Sequence, residues 1–302
     1  MSLAQRTEAV ATLDAIARPS GTFLMVAMDQ RESLRTMIAE QAGGPVADER
    51  LVAFKLAVAR ELASLASGFL IDRHYGFDEV VRQGLLPPSC GLILAADTLV
   101  HVPGEPVEDT ELDVGVDAAA ARTAGAVALK LLVVWRDDER RAHRAETARR
   151  FVDLARSHGM LSVLEPVVRG GPGFDREAAI LEAATELGRV GCDLYKCEVP
   201  THGKGEPEEV TDWCRRIDAV LPCPWVVLSQ GVDHQRFPAA VEAACRGGAS
   251  GMLAGRAIWS DVAGADDPGP LLRERAGPRL RRLAEIVDAH GVPWHERGGA
   301  AG

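Results

Sequence analysis

Eight short apolar runs recur along the 302-residue chain and leave few folds open to it. They cover residues 22–28, 68–72, 91–95, 126–135, 161–168, 193–199, 224–229 and 251–254, each starting 23 to 46 residues after the one before. The runs are continuously apolar more than alternating, the pattern of parallel strands covered on both faces. Helical patterns fill the intervals, at 51–65, 138–157, 174–187, 206–219 and 234–246, with Asp48 and Asp233 placed as N-caps. A helix is expected over 3–17, an eighth helix over 271–289, and a frayed tail over 297–302. Eight β-α units without a composition break predict one domain spanning 1–302, an α/β single (β/α)8 TIM barrel with an extra N-terminal helix within 1–20. A doubly wound sheet is the alternative, but it needs a glycine-rich phosphate loop after its first strand. That position reads Ala27-Met28-Asp29-Gln30-Arg31-Glu32, without glycine.

Composition narrows the function classes. With 47% hydrophobic and 26% charged residues the chain is ordinarily globular, and its net charge of −10 argues against a nucleic-acid partner. No apolar run approaches the roughly 18–20 residues of a membrane span, and the first residues lack the apolar core of a signal peptide. A cytoplasmic protein with no membrane partner is expected. The six cysteines form no C-x-x-C pair and read as buried thiols without chemistry. The eight histidines show no H-x-H or H-x-x-x-H ligand pair, so neither a metal nor another cofactor is expected.

Lysine usage is the sharper signal. Of 34 basic residues only four are lysine: Lys55, Lys130, Lys196 and Lys204. Lys204 lies in a glycine-flanked loop, and Lys55 sits in a helical pattern with an ordinary solvated or snorkelling reading. Lys130 and Lys196 sit inside apolar strand runs, where a charge is costly unless paired. Arginine would carry charge there but would not release a proton to become a nucleophile.

In a barrel, chemistry gathers at the C-terminal ends of the strands. Those ends carry Asp29-Gln30-Arg31, Asp72-Arg73-His74, Asp97, Lys130, Glu165, Lys196 with Glu198, Ser229-Gln230-Gly231 and Gly255-Arg256. By strand parity Lys130, Glu165 and Lys196 converge on one cavity if their faces point inward. Each has a plain alternative: a buried Lys130–Glu165 pair without chemistry, a carbonyl-capping Lys196, a helix-capping Asp29. Two lysines close together in a half-dry cavity are expected to lower each other's pKa and free an amine for attack on a carbonyl. Ser229, Gly231, Gly255 and Arg256 occupy the usual place of a barrel phosphate site.

The segments FLMVAMDQRE (23–32), LKLLVVWRD (129–137), LEPVVR (164–169), DLYKCE (193–198), PWVVLSQGVD (224–233) and GASGMLAGRA (248–257) resemble the class I aldolases of the tagatose-1,6-bisphosphate aldolase family, closest to its sulfofructosephosphate aldolase branch. The resemblance implies that Lys196 forms a Schiff base, that Glu165 is the general acid/base and that Lys130 assists it. It implies that Asp29 and Gln30 contact sugar hydroxyls and that Ser229, Gly231, Gly255 and Arg256 grip the phosphate. Arg31 is similar to a basic residue near the rim that meets the distal anion. Arg73 and His74, where the family's sulfosugar branch carries glutamines, suit a sulfonate, phosphate or carboxylate there. The activity implied is cleavage of 6-deoxy-6-sulfofructose 1-phosphate to dihydroxyacetone phosphate and 3-sulfolactaldehyde, in sulfoquinovose breakdown. The alternatives are tagatose or fructose 1,6-bisphosphate and, more remotely, a non-catalytic sugar-phosphate sensor. A homo-oligomer is also implied, with Trp213 or Trp259 at an interface or in the helix layer.

Overall fold

The computed structural model describes residues 10–100 and 108–297. Among the described residues ten strands follow one another: β1 (Phe23–Met28), β2 (Gly68–Ile71), β3 (Gly91–Ala95), β4 (Asp97–Val100), β5 (Asp109–Leu112), β6 (Ala126–Trp135), β7 (Leu161–Val168), β8 (Leu194–Glu198), β9 (Trp225–Leu228) and β10 (Gly251–Ala254). Eight of them close a parallel barrel in the order β1-β2-β3-β6-β7-β8-β9-β10, and β10 pairs back onto β1. Each expected strand is present within one residue of its expected ends. This is the (β/α)8 barrel the sequence pattern predicts.

Alternation along the strands builds two cores. Phe23, Met25 and Ala27 of β1 join Leu70, Ala128, Val163, Leu194 and Val226 inside the barrel. Leu24, Val26 and Met28 face the helix layer, where Phe54 meets Trp259 edge-on at 5.6 Å between ring centroids. Burying each such side chain contributes about 1.5–3 kcal/mol, enough to fix the strand register, since a one-residue slip would exchange the two sets.

Four local expectations change. Within 10–17 there is a single 3-10 turn, Leu13–Ala15, whose Leu13 joins Ile16 in closing the barrel floor; the remainder of the expected N-terminal helix lies outside the described residues. Asp48 is not a cap but the first residue of helix Asp48–Leu62, where its carboxylate pairs with Arg35 at 2.6 Å. Asp233 turns to the Gln235 amide at 2.7 Å, and the following helix starts only at Phe237. The expected tail beyond Arg297 lies outside the described residues, whereas Arg297 itself donates to the Cys223 carbonyl at 2.8 Å and pairs with Asp218.

The antiparallel β4–β5 pair is an excursion between β3 and β6 that hydrophobic pattern does not announce, because its four-residue strands are largely polar. Trp259 is fully buried and donates to the Ala27 carbonyl at 3.2 Å, which places it in the helix layer, while Trp213 lies under the Arg216 guanidinium. The six cysteines are free. Among the described residues no helix is long and apolar enough to cross a membrane.

Candidate active site

Lys130, Glu165 and Lys196 meet at the C-terminal end of the barrel. Glu165 Oε2 lies 2.7 Å from Lys130 Nζ and 2.9 Å from Lys196 Nζ, so one carboxylate oxygen is shared by two ammonium groups. All three side chains are buried. Parity explains the meeting: Ala128, Val163 and Leu194, two residues earlier on each strand, all lie in the inner core.

Lys130 does not behave as two adjacent lysines alone would suggest. Its ammonium also touches Asp29 Oδ2 at 2.8 Å and Asp97 Oδ2 at 3.1 Å. Burial opposes its charge, but Asp29, Asp97 and Glu165 outweigh that cost and hold Lys130 well above the usual lysine range. The expected mutual lowering is therefore overturned for Lys130, because three carboxylates from distant segments surround it. Asp29 answers in kind: against the effect of burial, Lys130, Lys196 and Arg31 hold it well below the ordinary carboxylate range.

Asp97 appears in the sequence only as a strand end, yet it is tightly built in. Its Oδ2 accepts from the Leu132 amide at 3.1 Å as well as from Lys130. Its Oδ1 and its carbonyl accept from Arg31 at 3.1 and 2.8 Å. Behind Arg31, whose Nε lies 3.9 Å from Asp72, the fully buried Asp72 pairs with the fully buried Lys55. The solvated reading of Lys55 is thus wrong. A signal was available: Leu51, Phe54, Lys55, Val58, Ala59 and Leu62 form the buried stripe of one helix.

Gln30, next to Asp29, carries a buried amide oxygen with no hydrogen-bond partner among the described residues. After β9, two strands along the barrel wall from β1, Ser229 is buried beside Gly231, whose φ of +82° suits glycine. Gly255 packs so closely that an added Cβ would lie 2.5 Å from the Ala27 carbonyl oxygen. Arg256 follows as the first residue of a short helix, Arg256–Trp259, and its guanidinium makes no ion pair or hydrogen bond among the described residues. The sequence reading did not single out His202. It and Thr201 adopt left-handed φ of 51° and 55°, and the Thr201 amide is anchored on Glu177 at 2.8 Å. His202, Lys204, Gly231 and Arg236 share a cleft of about 410 Å³.

Arg73 and His74 stand on the rim after β2. Arg73 holds Asp113 through a two-point fork at 2.7 and 3.0 Å, and His74 Nε2 lies 3.6 Å from the same carboxylate. Burial and the Arg73 charge push His74 below the usual histidine range, and the Arg73 hydrogen bonds pull Asp113 down. The larger cavity, about 1000 Å³, lies at the far end of the barrel against residues 10–19 and holds none of these groups. The buried charges converge at the other end, where Lys130, Glu165 and Lys196 meet.

The fold is a (β/α)8 barrel whose strand ends bring two buried lysines onto one shared carboxylate. The chain belongs to the DeoC/LacD family of aldolases, whose profile matches residues 23–261; it is accordingly a carbon–carbon lyase. It is 26% identical to a tagatose 1,6-diphosphate aldolase of Listeria monocytogenes over 95% of this chain and 94% of that protein. It is also 26% identical to tagatose 1,6-diphosphate aldolase 2 of Streptococcus pyogenes over 92% and 94%. In fold it is similar to fructose-bisphosphate aldolase of Plasmodium falciparum (TM-score 0.72, 14% identity, 96% of each chain). An archaeal fructose 1,6-bisphosphate aldolase is similar too (TM-score 0.61, 18% identity, 95% of this chain and all of that one).

Proposed function

We propose that this chain is a metal-free, Schiff-base aldolase that reversibly cleaves a ketose 1-phosphate into dihydroxyacetone phosphate and an aldehyde. The observation that carries the reading is the Lys196–Glu165–Lys130 triad, with one carboxylate oxygen between two amines. Within the 2.9 Å pair, Glu165 takes a proton from Lys196, and the neutral amine adds to the C2 carbonyl. Glu165 returns the proton to the departing hydroxyl, which leaves as water and gives an iminium. Glu165, again a carboxylate, then accepts the C4 hydroxyl proton. The C3–C4 bond breaks and its electron pair moves into the iminium as an enamine. Protonation at C3 and hydrolysis release dihydroxyacetone phosphate and regenerate Lys196. Lys130 stays charged throughout and lowers the cost of the carboxylate, while Asp29 accepts from sugar hydroxyls and Gln30 accepts from or donates to them.

Ser229, Gly231, Gly255 and Arg256 are assigned to the C1 phosphate. The unpaired Arg256 guanidinium suits a dianion at the mouth of β10. Arg256→Ala is expected to raise KM about tenfold or more while kcat falls less; steady-state kinetics on the preferred ketose phosphate checks it.

At the distal end the charges nearly cancel. Arg73 is neutralised by Asp113, His74 is held toward its neutral form, and Arg31 is spent on Asp97. A monoanion suits such a site better than a dianion, which favours 6-deoxy-6-sulfofructose 1-phosphate, with 3-sulfolactaldehyde as the aldehyde. The second reading, tagatose or fructose 1,6-bisphosphate, is favoured by the names of the relatives at 26% identity. Two experiments decide. Borohydride reduction in the presence of dihydroxyacetone phosphate should leave a mass adduct on the Lys196 peptide; an unmodified protein removes the Schiff-base reading. Side-by-side turnover should favour the sulfosugar by at least about tenfold in kcat/KM. Equal or reversed rates assign the bisphosphate.

A further inference from the structure

We infer that Asp97 is a positioning residue for this reaction, holding Lys130 against Glu165 while Arg31, Asp72 and Lys55 hold Asp97 from behind. The inference rests on the lysine-dependent aldolase reading. The geometry is a line of alternating buried charges: Lys55, Asp72, Arg31, Asp97, Lys130, Glu165, Lys196, with Asp29 as a side branch on Lys130. It contains four basic and four acidic members, so with every member charged the line is neutral overall. Asp97 is the one member that ties the barrel strand to the backing pair. It reaches Lys130 Nζ and the Leu132 amide with one oxygen and the Arg31 fork with the other.

Three carboxylates face Lys130: Asp29 from the end of β1, Asp97 from the start of β4 and Glu165 from β7, with Lys196 of β8 beyond Glu165. Asp97 itself faces Lys130 and Arg31. Without its charge, Lys130 leans on Glu165 and Asp29 alone. Glu165, drawn toward Lys130, is then a poorer proton partner for Lys196. This also gives Arg31 a different task from meeting the distal anion: both its terminal nitrogens are committed to Asp97.

The test is Asp97→Asn in the full chain, with kcat expressed per site that borohydride traps on dihydroxyacetone phosphate. The expected result is a fall in kcat on the order of 10- to 100-fold with KM within about threefold, and an alkaline limb of kcat moved down by about one pH unit. Asp97→Glu, which keeps the charge, should bring the alkaline limb back toward that of the wild type. A kcat per trapped site and an alkaline limb equal to those of the wild type overturn the inference, as does a loss confined to KM. Competitive acetylation supplies a readout that needs no substrate, since the chain holds four lysines and cleavage after glutamate leaves each on its own peptide. Lys130 should titrate at lower pH in Asp97→Asn; an unchanged Lys130 overturns the inference even if the wild type proves not to be an aldolase. Should Asp97→Asn fail to fold, Arg31→Lys, which keeps the cation but loses the fork, is expected to move the same limb in the same direction, and no movement there counts against the inference.

Discussion

Lys196→Met is expected to abolish the borohydride adduct with dihydroxyacetone phosphate and to lower kcat on the order of 10^4-fold or more, with the fold intact. The loss is large because the amine is the atom that makes the covalent bond, and no other lysine can replace it. Lys130 is the nearest candidate, but Asp29, Asp97 and Glu165 keep its lone pair protonated. The fold should survive because Glu165 keeps Lys130 at 2.7 Å, so its charge is not left bare, and methionine fills much the same volume. Intact mass after reduction, steady-state rates and a thermal melt together decide the matter. Trapping that persists in Lys196→Met would move the nucleophile to another lysine.

A second large effect falls on stability. Lys55 and Asp72 are both wholly buried, and Lys55 is the only ammonium in contact with Asp72 among the described residues. Lys55→Met should therefore cost about 3–5 kcal/mol of unfolding free energy, since it strands a carboxylate in the interior whose nearest remaining cation is the Arg31 Nε at 3.9 Å. Urea titration should show a lower midpoint at an unchanged slope. The double variant Lys55→Met/Asp72→Asn should recover more than half of the loss. Asparagine removes the stranded charge while its side-chain oxygen still accepts from the His74 and Tyr75 amides, each 2.9 Å from Asp72 Oδ1. A single-variant loss below about 1 kcal/mol would mean that water or rearrangement satisfies Asp72 and that the pair is not a structural anchor.

The difference between Lys196 and Lys55 shows how far residue pattern reaches. Lys130, Glu165 and Lys196 were legible because each interrupts a continuous apolar strand run, and parity decides which way a strand residue points. Lys55 was legible in principle by the same logic at period 3.6, but a lysine on a helix is so often a solvated one that its place on the buried stripe carried little weight. For Asp97, visible only as a strand end, and for Asp113 no partner was legible. They flank a polar excursion whose strands leave no apolar signature, and their partners Lys130, Arg31 and Arg73 lie 33 to 66 residues away.

The amino-acid sequence by itself determined the eight-fold β-α alternation, the barrel and the inward direction of the three central side chains, because periodicity is a local property that every segment carries within itself. Only the tertiary structure decided the charge state of Lys130, the inward commitment of Arg31 to Asp97 and the burial of the Lys55–Asp72 pair. Coulomb attraction and hydrogen bonding act strongly over about 3 Å, and which charges come that close is settled by the closing of the barrel, not by the spacing of residues along the chain.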